Sequence, residues 1–111
     1  MGKWLSLSAA MLGASSVSAH AAEIPHYDVS GHCARVARAA GDLGAQMGEA
    51  CERREHEAHA DLELYWPVIP AEARWRCLHI ARMAGEHYAL LQDCMRLELN
   101  ILQENVRRTA R

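Results

Sequence analysis

Phenylalanine is absent from this 111-residue chain, and lysine occurs once, at Lys3. β-Branched residues are also few, while Ala, Leu, Glu, Arg and Met dominate. These are helix formers, so a sheet-based fold is not expected. Beyond Lys3 the basic residues are 11 arginines against 14 Asp and Glu, leaving a net charge of about −3 with neutral histidine. Such a chain has no clustered basic face for nucleic acid. Its one long uncharged run covers residues 4–19, and no second apolar run of spanning length follows, so no transmembrane span is expected. No Cys-x-x-Cys or Cys-x-x-Cys-His occurs, which excludes the usual thiol-exchange and haem-attachment motifs. No Ser-His-Asp order, Gly-rich phosphate loop or close carboxylate pair stands out. The sequence therefore predicts neither an enzyme nor a cofactor.

What is present begins with the features of a secretory signal peptide. Lys3 supplies the positive n-region, Trp4 to Val17 the apolar stretch, and Ala19-His20-Ala21 a small-x-small cleavage site. Residues 1–21 are read as the signal, with Val17-Ser18-Ala19 as a second possible site. Residues 22–111 are then one domain in the periplasm or outside the cell. A domain of that size has too small a core to be robust alone. An oxidising compartment would let its four cysteines pair.

The cysteines lie in a pattern written twice. Cys33-Ala-Arg-Val-Ala-Arg-Ala-Ala-Gly41 is echoed by Cys77-Leu-His-Ile-Ala-Arg-Met-Ala-Gly85. Each copy continues to a matched tail, Cys51-Glu-Arg-Arg-Glu55 and Cys94-Met-Arg-Leu-Glu98. Chance explains the Ala-Arg-x-Ala core of the echo but not the matched Cys–Gly and Cys-x-Arg-x-Glu spacings. The reading is an internal duplication with units at about 31–65 and 71–107.

Apolar periodicity and turn residues divide the units into four helices. The first follows a cap at Asp28 or Ser30 and ends at Gly41. The second runs from about Ala45 to Tyr65, with Met47, Cys51, Ala58, Leu62 and Tyr65 expected on its buried stripe. Trp66-Pro67-Val68-Ile69-Pro70 is an apolar linker expected to fold back over the core, with Pro70 as the first residue of the next helix. The third helix, about Ala71 to Ala84, places Ala73, Cys77, Ile80, Ala81 and Ala84 inwards. The fourth, about Glu86 to Arg107, does the same with Leu90, Leu91, Cys94, Leu97, Ile101 and Leu102. The predicted fold is all-α: a four-helix bundle of two disulfide-stapled helical hairpins.

At the rise of an α-helix, both cysteines of each unit lie roughly 11–12 Å from their turn. They are level on neighbouring antiparallel helices, which predicts Cys33–Cys51 and Cys77–Cys94. Crossed pairing, Cys33–Cys94 with Cys51–Cys77, is also compatible with the sequence. Zinc sites usually bring ligands in close pairs, which these cysteines do not form.

Glu55-His56-Glu57-Ala58-His59 is the most suggestive local cluster. His56 and His59, three apart, share one side of a helix and are a candidate divalent-metal pair. The segment is one residue short of the His-Glu-x-x-His metalloprotease signature, and it reads equally as a solvated face with Arg53, Arg54 and Asp61. The glutamates along this helix read as surface ion pairing with interleaved arginines. Six histidines beyond the signal would turn the net charge positive in mild acid. Tyr65, Trp66, Trp75 and Tyr88 gather around the linker and second turn, either as an interaction surface or as plugs of the bundle.

Across residues 51–94, Cys51-x3-Glu55-x2-Ala58-x3-Leu62-x3-Trp66, Ile69-Pro70-Ala71-x2-Arg74-x2-Cys77 and Tyr88-x2-Leu91-x2-Cys94 succeed one another. This run resembles a family of short exported proteobacterial proteins, and the similarity covers nearly the whole chain after the signal. The resemblance implies a secreted helical domain with no known activity, so no functional residue is carried over. At the second turn Glu86-His87-Tyr88 replaces the Ser-Tyr more usual in that family. The sequence thus favours a non-enzymatic envelope protein of inhibitor or immunity type that binds another envelope or secreted protein, or a wall component. The alternative is a small metal-binding or acid-responsive periplasmic protein using surface histidines. The oligomeric state is left open.

Overall fold

Two glycines and two prolines punctuate the chain where the sequence places its turns. The computed structural model describes residues 23–110; the expected signal peptide, residues 1–21, lies outside them. Four helices follow one another: α1 (Val29–Ala39), α2 (Gly44–Tyr65), α3 (Ala71–Ala84) and α4 (Tyr88–Thr109). Short 3₁₀ turns at Gly41–Leu43 and Trp66–Val68 extend the first two connections. Among the described residues there is no strand, and no helix is long and apolar enough to cross a membrane.

Local chemistry sets the boundaries. Asp28 caps α1, its carboxylate accepting from Gly31 N–H at 3.0 Å. Gly41, at φ 58°, turns the chain out of α1 in the left-handed region that residues with a Cβ avoid, and Gly85, at φ 137°, does the same after α3. Pro70 precedes α3 as its cap residue, one position earlier than expected, in an extended conformation with ψ 151°.

Each hairpin is closed by a disulfide. Cys33–Cys51 joins α1 to α2 and Cys77–Cys94 joins α3 to α4, both with a Cα–Cα distance of 5.5 Å. Local pairing is therefore the connectivity, and the crossed alternative does not occur. The backbones come this close because small residues meet between the helices. A Cβ built on Gly44 would lie 2.7 Å from the Ala37 carbonyl oxygen, and one on Gly48 would lie 3.1 Å from Ala37 Cβ. In the chain-entropy account, closing loops of 17 and 18 residues contributes about 3 kcal/mol each.

The hairpins meet through their second helices. Glu55 of α2 reaches the start of α4, and six residues further Asp61 reaches Gln92 and Arg96. Contacts that advance along both helices together mean that α2 and α4 run parallel. α4 begins halfway along α2, with α1 and α3 flanking this inner pair. The core lies here: Ala58 and Leu62 from α2, Trp66 and Ile69 from the linker, Ala73, Cys77 and Ala81 from α3, and Tyr88, Leu91 and Met95 from α4. The linker does fold over the core, with Trp66 and Ile69 buried.

Several residues expected inside are outside. Met47 and Tyr65 on α2, Ile80 and Ala84 on α3, and Leu97 and Ile101 on α4 are exposed. Stagger accounts for part of this: α4 begins halfway along α2 and outruns both the end of α2 and the start of the shorter α3, which leaves Met47 and Ile101 without a helix of the other hairpin beside them. On α3 the buried stripe narrows to Ala73, Cys77 and Ala81, because the helix packs chiefly on α4. Met95 is fully buried although the sequence reading assigned it no inward position.

Candidate functional site

The only charged residue in the core of the described chain is Glu55, 1 % exposed. Read along α2 it looked like one of several surface glutamates. Its position is instead on the buried stripe, four residues after Cys51, three before Ala58 and seven before Leu62, a spacing that puts all four on one side of the helix. That spacing was the available signal. The surrounding Arg/Glu run masks it, because a carboxylate among such residues is ordinarily solvated.

Glu55 is buried because it has partners. Its Oε2 accepts the Tyr88 N–H at 2.6 Å and its Oε1 accepts the Ala89 N–H at 2.9 Å. These are the first two N–H groups of α4, which lack partners within their own helix. His87, the cap residue of α4, makes no side-chain capping bond. A carboxylate from the other hairpin therefore caps the helix and offsets the positive end of its dipole. This explains why α4 starts at Tyr88 and not at Glu86, as its periodicity suggested.

Two imidazoles close over the carboxylate. His87 Nδ1 lies 3.4 Å from Glu55 Oε1 but is misaligned; it is buried and makes no hydrogen bond. The ring of His32, from α1, stacks on that of His87 with centroids 4.2 Å apart and planes within 5°. Burial, followed by the neighbouring His87, holds His32 below the usual imidazole range, against a smaller opposing pull from Glu55. Each of the three residues offers a ligand atom within 4.8 Å of the others. A cleft of about 270 Å³ opens beside them, lined also by Val36, Met47, Ala50 and Arg54.

The second hairpin carries the same positions with different contents. The residue before the first cysteine is His32 in one unit and Arg76 in the other; the residue four after the second cysteine is Glu55 or Glu98. Arg76 and Glu98 form a two-bond ion pair, Nε to Oε1 and Nη2 to Oε2, both at 3.0 Å. The hydrogen bond from Arg76 holds the Glu98 carboxyl below its ordinary range. The first unit thus keeps the carboxylate but faces it with titratable rings in place of a permanent cation.

The remaining residues singled out in the sequence are scattered. His56 is exposed, and His59 pairs with Glu63 at 3.1 Å while its ring meets Tyr88 edge-on at 4.6 Å. Neither belongs to the three-residue cluster. All four cysteines are bound in disulfides. Of the aromatic group, Trp66 and Tyr88 are buried, whereas Tyr65 and Trp75 are about half exposed, at 45 % and 54 %. Tyr88 uses its hydroxyl to hold the lead-in segment, donating to the Pro25 carbonyl and accepting from Tyr27 N–H, both at 3.0 Å. Tyr65 lines a separate cleft of about 390 Å³ with Asp61, Arg96, Asn100 and Gln103. No protein-family model, curated protein sequence or solved structure matches this chain at a significant level.

Proposed function

We propose that this chain is a non-enzymatic, exported protein of the cell envelope that binds another protein, in the manner of an inhibitor or immunity factor. The carrying observation is Trp75. It stands on the side of α3 roughly opposite the Ala73, Cys77 and Ala81 stripe, more than half exposed. Met83, at 76 % exposure, lies on the same outer side two turns further on. Trp75 is outside the buried core, and tryptophan is among the residues most enriched at the energetic centres of protein interfaces. Leu64, Tyr65 and Val68 add further exposed apolar surface at the end of α2 and in the linker that leads into α3.

Two stapled hairpins make a rigid platform for such a face, and paired cysteines fit a periplasmic or secreted location. The test is photocrosslinking from position 75 in envelope extracts, followed by reconstitution of any captured protein with this one. Support requires a defined complex that Trp75→Ser abolishes while helicity and both disulfides persist. Equal binding by Trp75→Ser, or no defined complex at all, counts against the reading.

A further inference from the structure

The geometry points to a divalent transition-metal site formed by His32, Glu55 and His87. The three residues come from α1, α2 and the turn before α4, so one ion would tie the first hairpin to the second. Two imidazoles and one carboxylate suit Zn²⁺, Ni²⁺ or Cu²⁺, and are poor ligands for Mg²⁺ or Ca²⁺, which take oxygen.

Each member is prepared for that role. Glu55 spends one lone pair of each oxygen on an α4 N–H and keeps one on each free. Those two backbone bonds fix the carboxylate's orientation, as outer hydrogen bonds do for metal-binding carboxylates generally. His87 Nδ1 is buried beside Oε1 with no hydrogen bond. A buried polar atom in that state is an exception that calls for a partner. Burial and the neighbouring His87 ring disfavour the charged form of His32, which is the form that cannot ligate. Bonds of about 2.0–2.2 Å require the donor atoms to close up from their present separation. The rings of His32 and His87, both partly exposed, can tilt to do so, whereas Glu55 is fixed. The remaining coordination positions face the adjoining cleft.

The duplication supplies an independent argument. In the second hairpin the equivalent carboxylate, Glu98, has its cation built in as Arg76. In the first, His32 stands in that place, and a bound ion would restore the missing positive charge. Arg35 and Arg54 nearby, and the α4 N-terminus, oppose a cation, so micromolar affinity is expected and not the tight binding of a structural zinc.

Titration calorimetry of the oxidised protein with Zn²⁺ and with Ni²⁺ near neutral pH, paired with ¹⁵N spectra of the histidine rings, tests the site. One equivalent should bind and move the His32 and His87 resonances, leaving those of His56, His59 and His79 in place. His32→Ala and His87→Ala should each weaken binding at least tenfold, and His56→Ala/His59→Ala should bind as wild type. His32→Arg, copying the second hairpin, should stay folded by circular dichroism and lose the metal. Wild type that takes up neither ion, His32→Arg that binds normally, or resonance shifts confined to His56 and His59 would overturn the assignment.

Discussion

Replacing Glu55 tests whether a carboxylate in the core holds the two hairpins together. Glu55→Gln keeps the size of the side chain and removes the charge. One amide oxygen can still accept from Tyr88 N–H or Ala89 N–H, but the NH₂ then faces the other backbone donor. Hydrogen bonds to a charged group are worth about 1.5–3 kcal/mol each, and a buried donor left without a partner costs about 1–3 kcal/mol. Losing one charged bond and weakening the other should therefore cost about 2–4 kcal/mol. Set against the 5–15 kcal/mol or so typical of a domain, that is a large fraction. With a urea slope of about 1–3 kcal/mol per molar, the unfolding midpoint should fall by about 1–3 M. The assay is urea unfolding near neutral pH with the disulfides intact, followed by circular dichroism, with amide exchange at Tyr88 and Ala89 measured in parallel. Glu98→Gln is the matched control. It occupies the equivalent position in the second hairpin, but its partner Arg76 is well exposed, so its midpoint should barely move. If Glu55→Gln unfolds with wild type, or if the two variants lose the same stability, the capping argument is wrong.

Two further outcomes follow from the covalent frame and the charges. Cys77→Ala/Cys94→Ala should lower stability by about 3 kcal/mol from loop closure and more from the cavity left in the core; Cys33 is nearly as buried but lies outside that core cluster, so comparison with Cys33→Ala/Cys51→Ala by urea unfolding should rank the second hairpin's staple as the costlier to lose. Acid should destabilise the protein in two stages. His32 binds its proton less readily folded than unfolded, so its contribution is intact above pH about 6.5 and is lost as pH falls below that value. Glu98 is also depressed, but its partner Arg76 is well exposed, so the contribution present above the ordinary carboxyl range and lost as pH falls through its folded value is small. Stability measured against pH in His32→Asn should lack the first stage, although His87, Glu55 and Arg35 still surround the position; an unchanged profile would refute this.

Composition, turn residues and cysteine spacing determined a good deal unaided. The absence of phenylalanine and the abundance of helix formers predicted an all-α chain. Gly41, Gly85 and Pro70 placed the turns to within a residue or two. The equal Cys–turn distances predicted which thiols pair, because helix rise is constant and a hairpin brings equal heights together. These are local properties, carried by residues near one another in sequence. What only the tertiary structure decided is how the hairpins meet. Whether Met47 or Ile101 is covered depends on the stagger of α2 and α4, and no periodicity within one helix encodes the length of its neighbour. The role of Glu55 was settled in the same way. Its place on the buried stripe was visible, but its partners, the free N–H groups of α4, lie 33 and 34 residues away and exist as a site only once the second hairpin has docked in parallel against the first. Docking also brings His32 and His87 over that carboxylate, turning a helix cap into the most chemically loaded point of the described chain.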